Sequence, residues 1–266
     1  MRLGNLFVSL AFVLLISAST TAQRADWYGF KDLTLEIATP KRSYLQLQPV
    51  PLILTLSNRT DRVLNGHAAL QFSAHYVRLS VRREGADWRE AGQVTGLYAM
   101  VYPQARAMSP GDKFTANEIL AFRTEEIFPG PGTYELKARL RCSDGSQLVE
   151  SQPITIRIRE PEGQDLEAYN FLREQTKPEL FFTGFGSVRD NRAEETLETF
   201  VTQFSDTAYG DYATYLLGQV RFVKKDFTSA RAQFERLANN RDFVFADRVR
   251  DYLAKIDRKE ALLDRP

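Results

Sequence analysis

Hydrophobic and polar residues alternate along the first part of the chain and follow a helical period along the second part. Between residues 33 and 158, apolar residues fill every second position in separate runs, as they do in strands with one buried face. Turn-forming residues separate these runs. The spacing predicts an antiparallel β-sandwich of about seven strands over residues 28–160. The clearest runs begin at Leu33, Leu52, Val77, Tyr134 and Ile154.

The period of the apolar positions changes after a polar joint, Glu-Pro-Glu-Gly, at residues 160–163. We expect a linker at residues 161–165 and an all-α domain over residues 166–263. Leu166, Tyr169 and Leu172 form the stripe of a first helix, and Pro178 can start a second. Asp226 is a candidate N-cap. Further helices are predicted at residues 193–204, 211–225, 227–239 and 243–263.

The second part carries a spacing that is typical of tetratricopeptide repeats. Leu217-Gly218 is followed by Ala230 and then by Phe234, and Phe200 precedes Phe234 by 34 residues. Residues 193–258 therefore resemble that family, in which two short helices pair around a small residue. The resemblance implies helical hairpins that bind proteins and seldom catalyse.

The chain departs from the repeat pattern at Thr214, Arg221 and Asp242, where the family usually has tryptophan, tyrosine and proline. One repeat matches the family pattern well and the segments on either side match it poorly, which implies a short stack of helical hairpins and not a long superhelix.

The first part resembles immunoglobulin-like modules. Residues 131–136 look like the turn and tyrosine that open the penultimate strand of such domains, and residues 108–112 look like an earlier turn. Cys142 is the only cysteine, so no intramolecular disulfide can form. The expected fold class is multidomain: an immunoglobulin-like β-sandwich followed by tetratricopeptide-like helical hairpins.

Residues 52–134 are also similar to the single-sandwich proteinase inhibitors of bacilli. That resemblance implies a different function, in which an exposed loop between Arg83 and Arg106 would block a protease cleft. The two interpretations stay open at this point.

The N-terminus has the three parts of a secretory signal peptide at residues 1–22: Arg2, a short apolar run and a small residue, Ala22, at the expected cut. We expect a periplasmic or secreted bacterial protein without an integral membrane segment after cleavage. The chain has 35 basic and 34 acidic residues. Cleavage of the signal peptide would remove one basic residue, Arg2, so that the numbers of basic and acidic residues become equal. This balance gives no sign of a nucleic-acid or anionic-membrane partner.

Candidate catalytic chemistry is sparse. The two histidines, His67 and His75, have no partners at metal-ligand spacing, so we expect no metal and no cofactor. No phosphate-binding loop or nucleophile motif is present. We expect a non-enzymatic protein. A glycan-directed enzyme built from two scattered carboxylates stays open, because only a structure can bring such a pair together.

A wide apolar arc on the helix at residues 211–225 suggests a binding surface. Tyr215, Gln219 and Phe222 extend this arc beyond one packed face. Either neighbouring helices cover both sides, or these three side chains line a groove for a protein or peptide. A second aromatic cluster is expected to pack the helical domain against the sandwich or to cap the helical stack, and a ligand pocket between the domains stays open as an alternative. This cluster consists of Phe181, Phe182 and Phe185.

Overall fold

The computed structural model describes residues 29–67, 70, 72, 76–91, 105–120, 124–142, 145, 148–174, 191–240 and 243–263. Within these residues, the N-terminal part is rich in β-strands and the C-terminal part is helical. The change of period predicts this order. The signal peptide expected at residues 1–22 lies outside the described residues.

The strands of the N-terminal part are mostly short, and a one-turn helix, α1, lies between β8 and β9. The elements are β1 (Thr34–Ala38), β2 (Ser43–Leu45), β3 (Val50–Ser57), β4 (Leu64–His67), β5 (Val77–Arg83), β6 (Arg89–Glu90), β7 (Ala105–Met108), β8 (Lys113–Leu120), α1 (Thr124–Ile127), β9 (Gly132–Arg141), β10 (Leu148–Glu150) and β11 (Ile154–Arg159).

These strands form two sheets and a two-stranded ribbon. The first sheet has the order β1-β3-β8, and the second has the order β2-β11-β9-β5-β6, with β10 also pairing with β9. The ribbon pairs β4 with β7. Strand β2 runs parallel to β11, whereas the other described pairs are antiparallel. The chain therefore changes sheets between β1 and β2, at a segment that contains Pro40, a residue that has no N–H to donate to a ladder.

Both sheets face one hydrophobic core, which is built from alternate residues of their strands. The side chains that face inward from β3 and β9 are completely buried, which explains the alternation in the sequence. Cys142 is a buried free thiol in the same core. The inward residues of these two strands are Val50, Leu52, Leu54, Leu56, Tyr134, Leu136, Ala138 and Leu140.

Tyr134 holds the turn that precedes β9. Its hydroxyl donates a hydrogen bond to the carbonyl oxygen of Gly130 at 2.8 Å. Its ring meets the ring of Phe128 edge-on, with centroids 5.2 Å apart. The turn is thus attached to the strand by one hydrogen bond and one aromatic contact.

The described helices of the C-terminal part follow the predicted positions closely. Helix α2 begins at Gly163, so the predicted linker at residues 161–165 includes the first turn of this helix, and Pro161 is buried. The helix predicted to start at Pro178 lies outside the described residues. The helices are α2 (Gly163–Glu174), α3 (Asn191–Phe204), α4 (Gly210–Val223), α5 (Phe227–Ala238) and α6 (Ala246–Leu263).

Helices α4 and α5 form a hairpin with a very close approach. A Cβ atom placed on Gly218 would lie 2.7 Å from a ring carbon of Phe234, which is completely buried. Ala230, one turn before Phe234, is also completely buried. Asp226 caps α5, because its carboxylate accepts a hydrogen bond from the N–H of Ser229 at 3.1 Å. Hydrogen bonds from Ser229 hold the pKa of Asp226 below its usual value.

The two parts of the chain are joined by buried polar contacts. Gln48, which is 6% exposed, accepts a hydrogen bond from the N–H of Leu45 and donates one to the carbonyl oxygen of Ala208. The buried hydroxyl of Tyr209 donates to the carbonyl oxygen of Gln46 at 2.7 Å. Leu45 itself belongs to the hydrophobic cluster of α2, α3 and α4. The turn between β2 and β3 is thus part of the helical core.

Candidate interaction site on the helical part

Tyr215, the first of the three residues predicted to bind a partner, lies in the interior. Its side chain is 5% exposed, and burial raises the pKa of its hydroxyl to about 12. The ring stacks on Phe245 with centroids 5.5 Å apart and meets Phe243 edge-on at 5.6 Å. Because these neighbours belong to the segment that leads into α6, the chain itself covers Tyr215.

Gln219 is half-buried and hydrogen-bonded to two tyrosines. Its Nε2 atom lies 3.1 Å from the hydroxyl of Tyr215 and 3.1 Å from the hydroxyl of Tyr252. An amide NH₂ group has two donors, and both are used here. Gln219 therefore joins α4 to α6 inside the helical part.

Phe222 lies at the boundary between this interior and the solvent. Its ring centroid is 5.0 Å from that of Tyr252 and 5.7 Å from that of Phe227, and all three side chains are half-buried. The next residue, Val223, is 57% exposed. We call these four residues the α4–α6 patch: Phe222, whose ring contacts those of Phe227 and Tyr252, and the exposed Val223, which follows Phe222 at the end of α4.

Neighbouring helices account for most of the wide apolar arc on α4. Tyr215 and Gln219 face α6 and the residues before it, and only the end of the arc, at Phe222, reaches the patch. A helical wheel gives the width of an apolar arc and does not identify its neighbours. Sequence reasoning missed Phe227 and Tyr252, although Phe227 directly follows the predicted cap Asp226 and Tyr252 lies one turn from Val249 and Ile256.

Charged residues next to the patch are largely paired within the helical part. Arg221 of α4 forms ion pairs with Glu194 at 3.3 Å and with Glu198, and Lys224 also pairs with Glu194. Glu194 is buried, so these contacts fix α3 against α4. At the patch itself, Nζ of Lys255 lies 5.1 Å from the ring centre of Tyr252. An acidic side chain on a partner could pair with this ammonium group.

A cavity of about 240 Å³ lies between the two parts. At its rim, Nε of Arg173 is 3.9 Å from a carboxylate oxygen of Glu125. Pockets for drug-sized ligands have volumes of roughly 300–1,000 Å³. This cavity is smaller, and we assign no ligand to it. Its apolar wall consists of Leu45, Leu47, Phe128, Ile158 and Tyr169.

Several predicted features lie outside the described residues. These are the aromatic cluster of Phe181, Phe182 and Phe185, the whole of His75, the side chain of His67, and residues 92–104 of the loop between Arg83 and Arg106. The backbone of His67 ends β4.

The described residues hold neither a metal-ligating cluster nor a helix that could span a membrane. Among them, no group of three or more His, Cys, Asp or Glu side chains is arranged to hold a metal ion. No helix in the described ranges combines the length and the apolar composition needed to cross a bilayer.

Comparison with known proteins yields only distant structural similarity. No protein family matches the sequence, and a search of curated proteins found no match. A β-glucosidase from Listeria innocua in complex with laminaribiose has a TM-score of 0.28 and 10% identity, covering 48% of this chain and 16% of its own. A β-glucosidase from Erythrobacter marinus has a TM-score of 0.27 and 15% identity, covering 48% of this chain and 15% of its own.

The CARDB domain of a Pyrococcus furiosus protein has a TM-score of 0.26 and 10% identity. The similarity covers 48% of this chain and 94% of that domain. The chain thus spans less than a fifth of the two β-glucosidases, and similarity at these TM-scores assigns no function.

Proposed function

We propose that this chain is an exported, non-enzymatic interaction or scaffold module of the bacterial envelope, which binds a protein or peptide through its helical repeats. The observation that carries this proposal is the α4–α6 patch. There, half-buried aromatic rings adjoin Val223, which is 57% exposed. Aromatic side chains in such partly covered positions are typical anchors for a partner.

The geometry of the α4–α5 hairpin supports a tetratricopeptide-like assignment for the helical part. In such repeats a small residue allows two helices to approach closely around an aromatic side chain. Gly218 and Phe234 stand in that relation here, and Phe200 on α3 precedes Phe234 by 34 residues.

Two features support an immunoglobulin-like assignment for the sandwich. The hydroxyl of Tyr134 bonds to the backbone four residues upstream, at Gly130, which resembles the tyrosine corner of such domains. The N-terminal segment contributes strand β1 to the first sheet and strand β2 to the second sheet. Fold alone assigns no activity, so the functional proposal rests on the patch.

The non-enzymatic part of the proposal rests on the state of the carboxylates near the helices. Glu194 and Glu198 face the guanidinium group of Arg221, which makes them structural partners of a cation. A glycosidase needs two carboxyl groups about 5 to 10 Å apart across a cleft, with one of them kept protonated. Glu194 and Glu198 lie one turn apart on the same helix and share one guanidinium group, so they do not face each other across a cleft.

Changing Val223→Glu tests the proposal. Val223 is exposed, so the fold should survive while a charge is introduced next to Phe222. Partners captured by the wild-type protein from the cell envelope would be identified by mass spectrometry and their affinities measured with purified components. We expect the loss of at least about 2 kcal/mol of binding free energy, or roughly thirtyfold in affinity.

The matched control is Val63→Glu, because Val63 is 63% exposed on the sandwich. This variant should bind as the wild type does. Equal capture by both variants would contradict the proposal and direct attention to the loop between Arg83 and Arg106, with inhibition of a panel of proteases as the assay.

A further inference from the structure

The outer face of the five-stranded path β2-β11-β9-β5-β6 carries more basic than acidic residues. The inward residues of β5, β9 and β11 belong to the sandwich core, so the alternate residues of these strands face outward. Seven of the outward residues are basic: Arg78, Arg82, Lys137, Arg139, Arg141, Arg157 and Arg159. The acidic residues on this face and its edge strands are Glu90, Glu135 and Glu150.

This basic sheet face is not evident from the composition, since the whole chain has a formal net charge of +1. The excess of positive charge is a property of the fold, which collects alternate residues of three strands on one side. Glu84, Glu160 and Glu162 line a cleft beside Arg157 and Arg159. The excess is therefore largest at the opposite end, around Arg139 and Arg141.

Pairing within the sheet increases the local density of positive charge at that end. Arg78 of β5 lies directly opposite Arg139 of β9, and like charges in this position repel each other. Ion pairs with Glu90, at 2.5 Å from Arg78, and with Glu150, at 3.5 Å from Arg139, offset part of this repulsion. Lys137 shares Glu150 with Arg139.

A tryptophan lies within the basic sheet face. The indole ring of Trp88 is half-exposed, with the guanidinium carbon of Arg82 4.7 Å and Nζ of Lys137 4.6 Å from its centre. Tryptophan is enriched where proteins meet the headgroup region of a membrane, because one side of the ring is apolar and its N–H is polar. The indole thus lies between two cations, each of which also pairs with a carboxylate of the same sheet.

We propose that this basic sheet face binds the surface of an anionic lipid bilayer. Along a strand, outward residues are about 6.7 Å apart, and neighbouring strands are about 4.8 Å apart, so the charges form a two-dimensional array. A linear polyanion would cover one row of such an array. A layer of anionic headgroups covers several rows at once, and each basic residue near it favours binding about fivefold.

The test measures cosedimentation of the full chain with vesicles of phosphatidylcholine, with and without phosphatidylglycerol. We expect binding to the anionic vesicles alone and its loss at high salt. The double change Arg78→Glu with Arg141→Glu should weaken binding by more than tenfold. Both positions are exposed, so the far-ultraviolet circular dichroism should stay unchanged. In a Trp27→Phe background, the emission of Trp88 should shift when anionic vesicles are added.

The matched control is Arg258→Glu with Lys259→Glu, which reverses two exposed charges on α6 and changes the net charge equally. This control should bind as the wild type does. Equal weakening by both double variants would show an effect of total charge and overturn the proposal. Binding to dextran sulfate without binding to anionic vesicles would also overturn it, and so would binding to neither.

Discussion

Glu118 is a carboxyl group held in a poorly solvated position on β8. Burial raises its pKa from 4.5 to about 7, although a hydrogen bond from the backbone of Phe72 and the charge of Arg248 act in the opposite direction. Between these two pKa values the folded state binds more protons than the unfolded state. The free energy of unfolding therefore decreases as the pH rises through this window and is constant above it.

Replacing Glu118→Gln should remove this dependence, because glutamine has the same shape and does not ionise. Below pH 4.5 we expect the variant and the wild type to unfold at similar urea concentrations. Above pH 7 the variant should be more stable by about 1 to 3 kcal/mol. Urea unfolding on both sides of the window measures the difference. A difference that does not change with pH would contradict the burial of the carboxyl group.

The sequence identifies which positions are apolar more reliably than it identifies which of them are exposed. The apolar arc that includes Tyr215, Gln219 and Phe222 is too wide for one packed face, and in the structure Gln219 donates a hydrogen bond to Tyr215 while Phe222 packs at the edge of the same cluster. The segment 243–245 then covers Tyr215, because Phe243 and Phe245 fold back onto α4 before α6 begins. Contacts between residues about thirty positions apart cannot be derived from the period of one helix.

At the scale of elements, the hairpin of α4 and α5 depends on a glycine at the crossing. Changing Gly218→Ala should destabilise the protein, since overpacking costs about 1 to 3 kcal/mol and the better helix propensity of alanine returns only about 1 kcal/mol. Phe234→Leu is itself destabilising because the ring is buried, but Gly218→Ala should cost less in the Phe234→Leu background, since the ring that the new methyl group would meet is gone. Urea unfolding of both single variants and the double variant measures this coupling, and strictly additive effects would argue against the close approach.

Long elements were predictable and short ones were not. The runs beginning at Leu52 and Tyr134 become β3 and β9, because eight to ten residues of alternation define a buried face. Strand β2 has three residues and is ordered by pairing with β11, more than a hundred residues away. Its formation depends on the partner strand, so no local pattern could indicate it. Strand β6 pairs with the neighbouring β5, but its two residues are too few to show an alternating pattern.

At the scale of the whole molecule, the buried contacts of Gln48 and Tyr209 join the sandwich to the helices. Changing Tyr209→Phe removes the donor to Gln46 and should lower the free energy of unfolding by about 1 kcal/mol. We expect Trp88 fluorescence, in a Trp27→Phe background, and helical circular dichroism to report the same shifted transition. Tyr252→Phe removes a hydroxyl from within the helical part and should likewise shift both signals. A fluorescence curve that stays in place while the dichroism shifts would mean that the sandwich unfolds independently.

The parallel pairing of β2 with β11 also has a mechanical consequence. The chain enters the sandwich with β1, which pairs with β3, continues directly into β2, and leaves the sandwich for the helices at the end of β11. If the two ends of the sandwich are pulled apart, the parallel strands slide past each other, so that their evenly spaced hydrogen bonds bear the load together. In an antiparallel arrangement at this place, the same tension would open the bonds one after another. The sandwich should therefore resist stretching between its N-terminus and the helical part more strongly than its thermodynamic stability alone suggests.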